Sequence, residues 1–382
     1  MIRKAAIVAV ILGVVLRLWL MASTYHPDIR GHNLGGYILT VKGQFLGLYD
    51  YISRLPRTDP IVKIYGDDLF VYPPLAYWVH GLWLRVPLYS TALLQKLFVS
   101  GEHNSWLLLF LKTPYLVADA FCLWLLVKII DSKHKSLAII LWMANLPLIY
   151  SAYMLGQFDV FVVLFMLLAI YLVKLQKSVP AAMVLAVSAG FKPFGLFLLP
   201  FLPGNRIKNV LVGLVTYGLI IAPYALTSPG FRMFALAAQQ TDKVWYAKIL
   251  VSGSQYLPLF LVGCVVLFWA SIKNYKNLPA WAWLMAPLLI FYSVVHYHSQ
   301  WFAWISPFLI LALVLKPKSR WSVLTMLAAH IAVVFSFEPS LNFGLFGIKY
   351  SLGWLLTDQN MSLIRGVLAG TSLTLPWFLK EG

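Results

Sequence analysis

Charge is what this chain lacks. Only 11% of its 382 residues are Asp, Glu, Lys or Arg, against about 25% in a soluble domain. The charges fall in short gaps between long apolar runs, at 4–23, 105–130, 137–156, 158–174, 207–227, 256–272, 279–297, 300–316, 321–337 and 361–379. Most runs approach the ~20 residues that a helix needs to cross a hydrocarbon slab about 30 Å thick. With 61% hydrophobic residues, too little polar surface remains to keep the chain in water. A transmembrane β-barrel is excluded as well, because barrel strands alternate apolar and polar residues and these runs are apolar all round. The expected fold class is all-α, a polytopic transmembrane helical bundle forming one domain over 1–382.

The net charge of +17 does not mark a nucleic-acid binder. Lys and Arg are spread over the gaps, as residues that set membrane orientation are, and no basic domain is present. Cys122 and Cys264 both lie inside apolar runs and make no disulfide framework. The first run carries Arg17 in its middle and is long for a signal peptide, so it reads as a retained span.

Orientation follows if the gaps holding Arg3/Lys4, Lys128/Lys133/Lys135, Lys174/Lys177, Arg206/Lys208, Lys273/Lys276, Lys316/Lys318/Arg320 and Lys380 are all cytoplasmic. That side then holds 15 basic residues against two acids, Asp131 and Glu381. Parity requires 178–204 to be a hairpin of two short helices with Phe191-Lys192-Pro193 at its outer tip. It also makes 24–104 one large external loop with interfacial helices, and 228–255 a second external loop. The expectation is about 12 membrane helices with both termini inside.

The unusual polar residues then collect at the external face. The first loop holds His26-Pro27-Asp28-Ile29-Arg30, an amphipathic-looking stretch from Leu34 to Tyr49, and Asp67-Asp68-Leu69-Phe70-Val71-Tyr72-Pro73-Pro74-Leu75. Gly156-Gln157-Phe158-Asp159 ends the third span. Arg232, Asp242, Lys243 and Lys248 lie in the second loop, and His296-Tyr297-His298-Ser299-Gln300 joins two spans. Asp28, just past the first span, is placed to act as a general base or is an ordinary loop aspartate. Lys192 suits an anionic headgroup or simply snorkels to the interface. Asp119 is a functional candidate or pairs with Lys112 on the same helix face. His296 and His298 have no HExxH pattern, cysteine or carboxylate cluster beside them, so a phosphate contact is the better expectation than a metal. Tyr72-Pro73-Pro74 is a stiff corner that shapes a groove.

In order along the chain, Asp28, Tyr72 to Leu75, Val117-Ala118-Asp119, Gly156 to Asp159, Lys192-Pro193 and His296 to Pro307 resemble the GT-C superfamily of polytopic glycosyltransferases, especially its mannosyltransferase-like branch. The resemblance implies a polyprenyl-phosphate sugar donor and no cofactor, with Asp28 as the catalytic base. It implies substrate-binding roles for Lys192, His296, His298, Asp159, Gln157, Arg30, Arg232 and Tyr72. The 228–255 loop would close over the donor lipid, with Arg232 or Lys243 on its phosphate. The His-Pro-Asp-Ile context lacks a neighbouring second acid, so a metal site in the first loop is not implied. The chain is also short for that family.

The expected function is therefore inverting transfer of a hexose, mannose first, to an acceptor hydroxyl of a glycan, lipid or protein. Membrane lipids and no nucleic acid complete the partners, and a prokaryotic plasma membrane is the expected residence. No GxGxxG or GxxxxGK[ST] pattern occurs, so nothing points to nucleotide chemistry. The rival from another class is a transporter or flippase for a lipid-linked or anionic solute, for which Lys192, Asp119 and the broken hairpin would form a pathway. A non-catalytic subunit is the third reading.

Overall fold

The computed structural model describes residues 2–66, 70–238, 242–348 and 357–380. Asp67, Asp68 and Leu69 of the first-loop motif, and Glu381, lie outside the described residues. The described chain is helical almost throughout. Six of its helices are long and apolar enough to cross a membrane: Lys4–Ser23, Ser105–Ile129, Ser132–Met154, Arg206–Thr227, Leu259–Asn277 and Pro317–Ser336. The chain is a membrane protein with a helical bundle at its centre.

Helix α1 (Ile2–Ser23) turns apolar side chains outward, with Ile7, Leu12, Val15 and Trp19 more than half exposed. In a membrane protein that face meets lipid, so its exposure is the counterpart of a buried core. After α1 the chain does not form a loose loop. It folds into α2 (Asp28–Thr40), α3 (Pro60–Tyr65), α4 (Leu75–Trp83) and α5 (Thr91–Ser100), which share a second apolar core around Ile29, Leu39, Tyr77, Leu94 and Leu97. Of the stretch read as amphipathic from Leu34 to Tyr49, only 34–40 is helical, as the end of α2, which is buried continuously from His32 to Thr40. The rest runs through turns, with Phe45 and Leu46 about half exposed, into a 3-10 turn at Leu48–Asp50. Covering by α4 and α5 leaves the 32–40 part of α2 no wet face. α2 and α4 meet backbone to backbone: a Cβ on Gly36 would stand 2.6 Å from the Gly81 nitrogen, so this crossing needs glycine.

α6 (Ser105–Ile129) runs antiparallel to α1, setting Lys112 opposite Thr24 and Asp119 opposite Arg17. α7 (Lys135–Met143) breaks at Asn145, whose side chain caps the single turn α8 (Leu146–Leu148). A π-helical turn over Ile149–Met154 follows. Gly156 takes a φ of +65°, the left-handed conformation that lets the chain reverse into α9 (Asp159–Lys174). The Gly-Gln-Phe-Asp element thus joins two helices.

α10 (Ser178–Ala189) and the 3-10 helix Pro193–Phe201 pack against each other with Lys192 at the bend. α11 (Arg206–Thr227) follows. The 228–255 stretch is more ordered than the all-helical reading provides for. It contains a π-helical turn (Phe231–Leu236) and an antiparallel pair, β1 (Lys248–Ser252) and β2 (Gln255–Pro258). β2 runs straight into α12 (Leu259–Asn274), then α13 (Ala280–Val294), a 3-10 segment Ser299–Trp304, α14 (Ser306–Leu315), α15 (Arg320–Ser336) and α16 (Asp358–Thr374).

Candidate active site

Four segments converge at one end of the bundle: the start of α2, the Gly156–Asp159 turn, the bend at Lys192, and the 3-10 segment after α13. Asp28, in the first turn of α2, accepts a hydrogen bond from Gln157 Nε2. His26 Nδ1 lies 3.5 Å from its Oδ2, and the carboxylate side chain remains 41% exposed. It is held from within the protein and open on the other side, which is the geometry a proton acceptor needs. The opposite oxygen of the Gln157 amide, Oε1, is buried without a donor among the described residues.

Two residues along the same turn, Asp159 is fully buried. Its Oδ1 accepts from Lys192 Nζ at 2.7 Å and from Trp304 Nε1 at 2.6 Å, and its Oδ2 from Ser151 Oγ at 3.3 Å. Lys192 is 3% exposed, so it does not snorkel. Its ammonium lies over the rings of Phe158, Tyr72, Trp304 and Trp301 at 4.9 to 5.8 Å, a cage that stabilises a cation shielded from water. Asp28 also contributes to the field at Lys192.

From Lys192 a groove of about 360 Å³ leads away. Its polar lining includes Lys192 and Tyr72. The rest of its lining is mostly apolar and includes Pro193, Phe194, Phe197, Phe291, Ala235, Val244 and Trp245. Trp301 Nε1 is buried there with no acceptor among the described residues. Beside it, Lys243 Nζ stands 2.6 Å from His298 Nε2 and over the Trp301 ring. Desolvation, then Lys243, Lys192 and His296, lowers His298 to about 4. The imidazole is neutral at pH 7 and accepts the Lys243 proton.

The remaining candidates separate. His296 is exposed and faces Arg365, with 3.5 Å from its Nδ1 to the guanidinium. Arg232 is exposed and donates to the Ala225 carbonyl at 2.8 Å. Arg30 lies over Tyr65, 5.3 Å from its centroid and away from the groove. Asp119 does not pair with Lys112. It accepts from Arg17 Nε, Trp142 Nε1 and Tyr153 OH, each at 2.6 Å. Positions seven apart share a helix face but stand about 10.5 Å apart along it. Each of the two therefore meets what antiparallel α1 presents at its own level.

Lys112 instead donates to Thr24 O at 2.7 Å, Thr24 Oγ1 at 3.1 Å and Tyr153 O at 2.7 Å. Thr24 precedes Asp28 by four residues and Tyr153 precedes Gln157 by four, so one ammonium ties down both segments of the Asp28–Gln157 pair. His32, one turn after Asp28, is buried with Nδ1 unbonded among the described residues and packs edge-on to Tyr72 and Phe158. Sequence reasoning passed over His32, Trp301 and Trp304. His32 lies in the first-loop segment with no motif around it, and nothing distinguishes Trp301 and Trp304 from the aromatic-rich apolar run in which they lie. No group of three or more His, Cys, Asp or Glu among the described residues has the placement of a metal site.

Comparisons with protein-family models, with curated protein sequences and with solved structures return no match to this chain.

Proposed function

We propose that the chain is an inverting glycosyltransferase of the GT-C type, taking its sugar from a polyprenyl-phosphate donor at the external face of the membrane. The observation that carries this reading is the groove: Lys192 in a lining that is otherwise mostly apolar, with the part-exposed Asp28 carboxylate in electrostatic reach of Lys192. A lipid phosphate has that same division between an anionic head and an apolar tail.

In the reaction Asp28 removes the proton of an acceptor hydroxyl, and the oxygen attacks the anomeric carbon. The bond from that carbon to the phosphate oxygen breaks with inversion, and the polyprenyl phosphate leaves with the electron pair. Lys192, the Trp301 N–H and Lys243 supply donors for that anion, charge fixed in advance where charge develops. Gln157 and His26 orient the base. Mannose is the first sugar to try, with a glycan, lipid or protein acceptor. The cytoplasmic ends of the helices are those carrying the basic gaps, in a plasma membrane of prokaryotic type. The transport reading is the weaker one. Of the residues that would mark its pathway, Lys192, Asp119 and the broken hairpin, Asp119 is bonded to Arg17, Trp142 and Tyr153 within the packed core, as structural carboxylates are.

The test is transfer from a panel of radiolabelled polyprenyl-phosphate sugars to a cell lipid extract by reconstituted protein, wild type beside Asp28→Asn. The expected result is transfer by wild type and a loss of roughly 10²–10⁴-fold in the variant with donor binding retained. Transfer that survives Asp28→Asn removes the base assignment. Absence of transfer with every donor removes the enzyme reading and moves the test to solute flux.

A further inference from the structure

The β1–β2 hairpin is apolar on both of its faces, and among the described residues neither face is covered. The register pairs Ile249 with Leu257 and Leu250 with Tyr256, and an irregularity between Leu250 and Ser252 leaves Val251 outside the regular pairing. Paired residues lie on the same face of the ribbon and successive pairs on opposite faces. Ile249 and Leu257 therefore form one face, Leu250 and Tyr256 the other. All of them, with Val251, are 45 to 60% exposed. Lys248 Nζ lies 4.2 Å from the centroid of the Tyr256 ring, giving one face an aromatic and cationic rim.

What surrounds the hairpin decides its partner. β2 continues without a break into α12, and Leu259 N donates to Ala247 O at 2.9 Å, fixing the hairpin to the end of that helix. The span Leu259–Asn277 is only 11% buried inside the protein, as is Arg206–Thr227. Their outward residues Leu226, Val265, Val266 and Trp269 are largely exposed and apolar. The hairpin thus prolongs a surface whose solvent is lipid. Among the described residues its two outer strand edges have no further strand beside them, and unpaired edge N–H and C=O groups are not tolerated in the hydrocarbon interior. Apolar faces favour entry and bare edges limit its depth. The balance lies where headgroups meet acyl chains, as for an interfacial amphipathic helix. The segment just before it, Val244 and Trp245, is one wall of the Lys192 groove.

We infer that the Lys248–Pro258 hairpin is a membrane-dipping element, its apolar faces in contact with the phospholipid surface beside the mouth of the Lys192 groove. The wall of the groove is thereby anchored to the bilayer from which an amphiphile would enter. This holds whatever chemistry the groove serves.

The test places nitroxide labels at Ile249→Cys, Val251→Cys and Leu257→Cys, one at a time, in the full chain with Cys122 and Cys264 replaced by Ala. The protein is reconstituted in phosphatidylethanolamine–phosphatidylglycerol nanodiscs. Collision with oxygen, which partitions into lipid, is compared with collision with a water-soluble nickel chelate. Leu226→Cys serves as the lipid reference and Lys96→Cys as the aqueous one. The expected result is oxygen dominance at all three hairpin positions, at a depth shallower than Leu226. Nickel dominance puts the hairpin in water and overturns the inference. Low collision with both reagents means that it is packed against protein, such as a second copy of this chain, and overturns it equally. Should a variant elute differently from wild type, the same comparison with Ser254→Cys at the turn replaces it.

Discussion

Lys192 and Asp159 bind each other in a setting where neither ion keeps its water. Taking one away leaves the other charge buried and uncompensated, which costs about 3–5 kcal/mol, whereas neutralising both is far milder. Lys192→Gln alone is therefore expected to lower the midpoint of thermal unfolding sharply. Lys192→Gln with Asp159→Asn should restore most of it, by differential scanning fluorimetry in detergent. If the pair only holds the fold, the double variant should also bind a fluorescent polyprenyl phosphate as wild type does. If Lys192 is the donor's phosphate contact, binding stays lost although the fold returns, and this split is the expected outcome. The lysine was legible in the sequence because a cation in an apolar run next to proline is rare and costly. Its partner was legible only as part of a motif, since spacing along a chain does not reveal which carboxylate crosses from a neighbouring helix. The same blindness misassigned Asp119 to Lys112. Arg17 stood in plain view in the first run, but nothing in one sequence says which helix α1 lies against.

Between the elements, the polar contacts of α6 set the geometry of the turns above them. Lys112 reaches past the end of α1 to Thr24 and across to Tyr153, so the segments leading to Asp28 and Gln157 are held by one side chain. Its charge is also felt at His26, whose pKa is lowered below the usual 6.5 by desolvation and by Lys112, with Asp28 opposing. A depressed histidine is protonated more readily in the unfolded chain. Its contribution to stability is thus complete above about 6.5 and fades as the pH falls through the folded value. Lys112→Met removes the lowering charge, so the His26 midpoint should rise, read as the imidazole shift in a histidine-labelled sample titrated from pH 7.5 to 4. Transfer should fall at the same time through the looser Asp28–Gln157 pair. An unmoved His26 midpoint in a folded variant would leave Lys112 as packing alone. At this scale the long apolar helices were readable, since length and hydropathy suffice for them. α2 was not, because burial under α4 and α5 conceals the face pattern that marks a surface helix. The β-hairpin was not either, because the charge pattern places 248–255 in the second external loop and Tyr256 onward in the following span, dividing the two strands between different readings.

Across the whole molecule, the basic gaps find one another. Lys174 Nζ donates to the Ile129 carbonyl at 2.6 Å and to that of Lys128 at 3.2 Å. Arg206 binds Ser271 through Oγ at 2.7 Å and O at 3.0 Å. Lys316 reaches the Lys380 carbonyl at 3.1 Å. Each contact joins two helix ends that the charge distribution assigns to one side, although the charges alone do not dictate that they touch. The ends of the 178–204 hairpin also come together, since a Cβ on Gly204 would lie 3.5 Å from Ser178 Oγ, as parity requires of a segment that returns to the side it left. The candidate site draws its residues from the other ends of the same helices. A membrane potential and anionic inner-leaflet lipids retain Lys and Arg on the cytoplasmic side, so the basic ends should face the cytoplasm and the Asp28 end the exterior. Single cysteines at Lys133, Lys276 and Lys318 should then resist a membrane-impermeant maleimide in intact cells and react after permeabilisation. Cysteines at Arg57 and Lys96 should react without it. Labelling of both groups in intact cells would mean that at least one long helix does not cross. Reversal of the pattern would put the site on the side of nucleotide-linked sugars, where a polyprenyl-phosphate donor has no advantage over them, and the proposed chemistry would lose its reason for a lipid-shaped groove.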